Sequence, residues 1–330
     1  MKAFFAQRFF AIFLIVIAAS LLVPHSSQAA NGAPQKVVIA DQYGPGHLVT
    51  VVMKRRALLE RRYPGTKFDW RVVTGGAMIR DGIISDQIQI GLSAPPPFLI
   101  GLDKGVKWKI LAGAATYDQW LVTADPNIKV LKDFLSGSRK QIAVVGLDSF
   151  PAIVLRKAAK RDFGDFKAFD NHFVIMPPPL AVQAVVTGQI SGALIPPVFS
   201  VRALDAGARV VLRGNDVFSG PVTNNFYVMG DSFYKRYPEF AEGFYQAVGE
   251  AIKFIKDNPA EAYKMLSEDE GGKMSPEKYR DWFERSGTTF GIVPVRVLEV
   301  GKFMKEIGMI KQAPVSMREL SFPPLGGKGN

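Results

Sequence analysis

The chain of 330 residues contains no cysteine. Disulfides, thiol catalysis and a lipid-modified cysteine at a mature N-terminus are therefore excluded. Histidine is almost as scarce: the three are His25, His47 and His172, and no two have the helical or hairpin spacing that puts a pair on one metal ion. There is no Gly-x-Ser-x-Gly elbow, since Gly91-Leu92-Ser93-Ala94-Pro95 lacks the second glycine. Gly44-Pro45-Gly46 stands between a strand and a helix as a dinucleotide loop would, but Val49 occupies the place of the third glycine. His47 reads as a first-turn histidine of a surface helix rather than a catalytic base.

Only one long apolar run exists, Phe9–Val23. It is shorter than the roughly 20 residues needed to span a bilayer. Lys2 and Arg8 precede it and Ser27-Gln28-Ala29-Ala30 follow it, so residues 1–30 read as a secretory signal cleaved to leave Ala30 or Asn31 first. A free, exported protein is expected. Removing Lys2 and Arg8 from the 41 basic residues leaves 39 against 30 acidic, a net charge of +9. The cations are scattered over helix faces, as in Lys54-Arg55-Arg56 and Lys160-Arg161, so no nucleic-acid partner is expected.

What the chain does have is a phrase repeated at an offset of about a hundred residues. Asp86-Gln87-Ile88-Gln89-Ile90-Gly91-Leu92-Ser93-Ala94-Pro95-Pro96 returns as Gly188-Gln189-Ile190-Ser191-Gly192-Ala193-Leu194-Ile195-Pro196-Pro197. Each copy follows a helix-like stretch, Ala77–Ile84 or Leu180–Val186, and reads as a short buried strand stopped by prolines. Strand candidates alternate with helices through the first two thirds: 36–41, 67–73, 87–92, 108–115, 120–123, 141–145, 173–176, 191–195, 209–212 and 225–229. Helices are expected over His47–Arg62 and Ala152–Arg161. Short apolar runs separated by helices predict mostly parallel, doubly wound sheets. The last third is helical. Phe240, Phe244, Val248, Ile252 and Ile255 form one stripe after Pro238. Asn258-Pro259-Ala260-Glu261 and Ser275-Pro276-Glu277 each predict a capped helix start, and the glycine-rich tail 326–330 is expected to fray.

Two α/β lobes of similar plan enclose a cleft, and in open α/β sheets ligands sit beyond the carboxyl ends of the strands. Helix N-termini there offer amide donors and a partial positive charge suited to an anion. The loops that qualify are Asp41–Gly44, Thr74–Ala77, Ser93–Pro95 and Asp148–Phe150. Tyr43, Tyr117, Trp120 and Phe150 are candidate aromatic walls. No arginine falls within these loops, so a bidentate clamp on a carboxylate or sulfonate is not visible.

The ordered set of Gly75-Gly76-Ala77-Met78, Asp86–Gly91, Leu131-Lys132-Asp133-Phe134 before Lys140–Val144, Thr187–Ala193 and Pro196-Pro197 resembles the periplasmic solute-binding proteins of nitrate/sulfonate/taurine-type ABC importers over about residues 35 to 310. The resemblance implies an α/β fold of two doubly wound lobes joined by a two-segment hinge, the type II periplasmic-binding-protein plan. Lobe 1 would hold 31–123 and 225–330, and lobe 2, inserted, 124–224. It implies ligand contacts at Gln42, Tyr43, Gly75, Gly76, Ala77, Ser93, Ala94, Tyr117, Ser149, Phe150, Pro197 and Asn224. It further implies a monomeric periplasmic receptor without enzymatic activity, cofactor or metal, which captures a small polar or anionic organic solute and passes it to an inner-membrane ABC permease. The alternatives are an enzyme of the same fold, of the kind that makes a pyrimidine precursor, and a ligand-binding sensor subunit. Asp86 departs from the pattern, standing where the second copy has Gly188.

Overall fold

The computed structural model describes residues 32–137 and 140–330, so the segment read as a signal lies outside the described residues. The chain opens with β1 (Lys36–Gln42), α1 (His47–Arg55), α2 (Leu58–Arg62), β2 (Lys67–Val73), α3 (Gly76–Ile84), β3 (Ile90–Ser93), α4 (Pro95–Asp103) and β4 (Trp108–Tyr117). It continues through β5 (Trp120–Thr123), β6 (Ile142–Val144), α5 (Phe150–Phe163), β7 (Phe173–Ile175), α6 (Pro178–Val186), β8 (Gly192–Ile195), α7 (Pro197–Asp205) and β9 (Arg209–Arg213). It ends with β10 (Val222–Gly230), α8 (Asp231–Arg236), α9 (Pro238–Asp257), α10 (Pro259–Asp269), α11 (Pro276–Ser286), β11 (Thr289–Phe290), α12 (Val297–Glu306) and α13 (Met317–Leu320).

These strands make two sheets. The first has the order β11-β4-β10-β3-β1-β2 and the second β7-β6-β8-β5-β9. In the first sheet β1 runs parallel to β2 and β3, while β10 lies antiparallel between β3 and β4. In the second, β6 runs parallel to β7 and β8, and β5 is antiparallel to β8 and β9. The doubly wound expectation therefore holds, but the mostly parallel one does not: among the described residues four strand pairings are parallel and five antiparallel, because β10 and β5 each return against their neighbours. The boundary does not hold either: Trp120–Thr123, placed by the sequence reading in the first lobe, pairs antiparallel with β8 and β9 and so lies within the second sheet. The outward crossing falls at Asp118–Gln119 instead of Thr123–Ala124. The return is complete before Val222, since Val222–Asn224 already belong to β10.

The repeat has a backbone counterpart. After α3, Asp86 sits in the left-handed region at φ 56°, and after α6 Gly188 does so at φ 74°. Aspartate tolerates that conformation better than most side chains, which explains how the first copy dispenses with glycine. Each copy then folds back alike, with Gln87 and Ile88 N–H on Gly82 O and Gln189 and Ile190 N–H on Ala184 O.

Three details differ from expectation. Residues 47–62 form two helices, because Ala57 turns left-handed at φ 48° and so directs Leu58 and Leu59 into the core. Asn258 starts α10 without a side-chain cap bond, whereas Ser275 does accept from Lys278 N. The tail is docked: Asn330 O accepts from Val297 N–H at 2.7 Å and Asn330 Oδ1 from Arg296 N–H at 2.8 Å. The α9 stripe is buried as expected.

Candidate ligand-binding cleft

The carboxyl ends of strands from both sheets converge on a cavity of about 460 Å³, the size range of small-molecule sites. From the first sheet come Gln42 and Tyr43 after β1, Thr74 to Met78 after β2, Ala94 and Pro97 after β3, and Tyr117 at the end of β4. Asn224 and Asn225 of β10 join them, and Gln119 enters from the outward crossing. The second sheet supplies residues 145–151 after β6, Ile175 of β7, and Pro178 and Pro196 at the starts of α6 and α7.

Of the twelve residues expected at the site, the structure brings ten together on this wall: Gln42, Tyr43, Gly75, Gly76, Ala77, Ala94, Tyr117, Ser149, Phe150 and Asn224. Two are displaced. Ser93 is fully buried as the last residue of β3, behind the wall. Pro197 is buried as the first residue of α7, and the preceding Pro196 lines the cavity in its stead. Trp120, expected as a wall, packs under Arg213 with its indole N–H on Asp118. The residues that sequence reading missed include Gln119, Asn225, Met78, Ile175, Pro151, Pro178 and the stretch Val145–Leu147. Loop position after β6 marked the last of these; nothing local to Gln119 or Asn225 did.

The first-sheet wall is held by a connected set of hydrogen bonds. Gln42 donates Nε2–H to Leu92 O at 2.7 Å, tying the end of β1 to β3. Asn225 Oδ1 accepts from Gly46 N–H and from the Tyr117 hydroxyl, each at 3.1 Å. A side chain at Gly46 would put its Cβ 2.6 Å from Asn225 Cβ, so only glycine lets this loop lie against β10. Burial raises the pKa of the Tyr117 hydroxyl far above its ordinary value, outweighing the opposing hydrogen bonds with Asn224 and Asn225. Tyr117 therefore remains a neutral donor. Asp118, at the crossing, is also pushed up by burial, against hydrogen bonds from Asn215 N–H, Trp120 and Gln119 N–H.

Behind the loop after β1, His47 Nδ1 lies 2.5 Å from Asp41 Oδ2. It is largely buried and outside the main cavity. Among the described residues no cluster of three or more His, Asp or Glu is placed to hold a metal ion.

The second-sheet wall approaches closely. A Cβ on Gly75 would meet Val145 O at 3.7 Å, and Arg80 Nη1 of α3 lies 3.5 Å from Asp148 Oδ2 across the cleft. Gly76 has a packing reason for its size as well: a Cβ there would come within 2.5 Å of Pro97 Cγ.

Two sheets crossed twice by the chain, with one cavity at their facing strand ends, define the two-lobed periplasmic-binding-protein fold. The NMT1/THI5-like family model matches residues 74–262, more than half of the chain, and the protein belongs to that family. A relative from Escherichia coli (strain K12) named for binding aliphatic sulfonates is 24% identical over 264 residues, 79% of either chain. The crystal structure of the periplasmic aliphatic sulphonate binding protein SsuA from Escherichia coli is similar with a TM-score of 0.67 at 20% identity, covering 89% of this chain and 99% of that one. The alkanesulfonate-binding protein SsuA from Xanthomonas axonopodis pv. citri, bound to MOPS, gives 0.69 at 19% identity over 88% and 98%. The periplasmic nitrate-binding protein NrtA from Synechocystis PCC 6803 gives 0.68 at 15% over 88% and 87%. The resemblance to ABC-importer solute-binding proteins read from the sequence is supported by these matches.

Proposed function

We propose that the protein is a periplasmic receptor that captures a small polar or anionic organic solute between its lobes and delivers it to an ABC permease of the inner membrane. The observation that carries this is the cavity at the facing strand ends of two sheets, to which both sheets contribute. A solute touching both walls stabilises only the closed arrangement, so binding and closure are one equilibrium. The lobes correspond to the two sheets, and the hinge to the crossings at Asp118–Gln119 and at 214–221. The ten residues named above are the ligand contacts, with Gln119, Asn225 and Pro196 added. Neither a cofactor nor catalysis is invoked. Among the described residues no helix is long and apolar enough to cross a membrane.

Small-angle scattering during a solute titration tests the reading. Saturation of one site per chain with a smaller radius of gyration is expected. Binding with an unchanged radius overturns closure about the crossings, and absence of binding across a broad solute panel overturns the receptor.

A further inference from the structure

Large apolar side chains left in contact with water gather at the interlobe cavity. Among the described residues twelve such side chains are exposed, and four of them line it: Tyr43 at 43%, Met78 at 53%, Leu147 at 50% and Ile175 at 62%. Each wall supplies two. Tyr43 follows β1 and Met78 lies in the first turn of α3, whereas Leu147 follows β6 and Ile175 ends β7. A lone exposed leucine or methionine on a surface needs no explanation, but four converging on one concavity from opposite walls mark a surface that something covers.

The polar side chains of the same cavity are recessed. Gln119, Asn224 and Asn225 are only 1 to 2% exposed, so they present little surface to a solute. The first-turn amides of α3 and α5 remain for one small polar group. Among the described residues no lysine, arginine or histidine lines the cavity, so a bare anion finds no full counter-charge there. Size points the same way. About 460 Å³ lies within the range that holds drug-sized ligands, and an ion as small as nitrate or methanesulfonate would leave the four apolar side chains wet.

We propose that the solute is mostly apolar, an aromatic or branched aliphatic body with one small polar group, and that Tyr43, Met78, Leu147 and Ile175 select it by gripping that body from both walls. This rests on the receptor reading above and names its solute class, in which the polar or anionic group is the smaller part of the molecule. Closure then removes apolar surface of the solute and of both walls from water together, so a larger body drives it harder.

The test is a titration series in which a carboxylate, a sulfonate or a primary amide is carried on methyl, butyl, cyclohexyl and phenyl bodies, with nitrate as the bodiless control. Within each head group affinity is expected to rise about fourfold per buried methylene, so butyl members should exceed methyl members roughly 50-fold. Calorimetry at several temperatures should give a negative heat-capacity change that grows with the body. Leu147→Ser and Ile175→Thr alter exposed side chains and should melt as wild type does. Combined, they should weaken the cyclohexyl and phenyl members about tenfold or more and leave the methyl members unchanged. Tightest binding by nitrate or a methyl member, or a wild-type preference for large bodies retained in the double variant, overturns this inference and leaves the receptor standing. Silence of the whole series and of the broader panel overturns both.

Discussion

The indole N–H of Trp282 in α11 donates to Asp205 Oδ2 at the end of α7, at 2.9 Å. Arg285 Nη1 reaches Asp205 Oδ1 at 2.6 Å and Lys278 Nζ reaches Oδ2 at 2.8 Å, so one carboxylate fastens the C-terminal helices to the second sheet's layer. Burial would raise the Asp205 pKa, but the hydrogen bonds from Lys278, Trp282 and Arg285 outweigh it and hold the carboxyl well below the usual carboxylate range. Asp205→Asn should cost about 1 to 2 kcal/mol at neutral pH, a charged hydrogen-bond contribution discounted for partial exposure. A group depressed in the folded state stabilises above its unfolded value of 3.8 and loses that contribution as pH falls toward its native value. Urea denaturation should therefore show a constant gap between wild type and variant down to about pH 4 and a shrinking one below.

His47 has the opposite dependence. Burial works against its charged form, but the adjacent Asp41, with Glu270 and Asp269 beyond, raises its pKa above 6.5. Its stabilisation is complete below 6.5 and lost as pH rises through the raised value. His47→Gln should thus destabilise more at pH 6 than at pH 9. Imidazole proton shifts measured by NMR check the midpoint directly; a midpoint below 6.5 would contradict the assignment.

Tyr43 and Phe150 both line the cavity, yet they are not equivalent probes. Tyr43 is 43% exposed, so Tyr43→Ala should weaken binding by about 1 to 3 kcal/mol with little change in melting temperature. Phe150 is 2% exposed and packs on Phe218 with ring centroids 5.4 Å apart. Phe150→Ala should cost about 3 to 5 kcal/mol of folding stability besides any loss of affinity. Calorimetry and thermal melts on both variants separate the two effects.

Gly75 marks where the walls meet. Its backbone is extended, and a Cβ would contact Val145 O at an ordinary 3.7 Å. Gly75→Ala should therefore bind as wild type does. Gly75→Leu should prop the walls apart, weakening the apparent affinity about tenfold or more because the competent closed state is depopulated. Scattering at saturating ligand should then show a larger radius of gyration than wild type.

Much of this architecture was legible in the sequence, since apolar runs such as Val37–Ala40 and Leu111–Ala115 and the repeated phrase carry their periodicity locally. The cleft loops were legible for the same reason, because they follow those strands. What escaped was set by pairing between distant segments. Trp120–Thr123 reads equally well as a strand of either lobe, and only its register with Leu194 and Leu212 assigns it. Asn225 matters through partners more than a hundred residues away, Tyr117 and Gly46, and Gln119 through where the crossing places it. Pro196 is the residue before α7 and Pro197 its first, and where the helix begins, not composition, decides which lines the cavity.

The position of β10 has a consequence for how the chain is made. Val222–Gly230 is the strand between β3 and β4, pairing with both. Until it emerges from the ribosome, the first sheet exists only as β1–β2–β3 on one side and an unpartnered β4 on the other, each with a bare edge. The first sheet is therefore incomplete at its centre until some two thirds of the polypeptide is present. Contacts this far apart in sequence carry a large loop-closure cost. The first sheet is thus joined into one only by this late strand, with β11 following at the outer edge of β4.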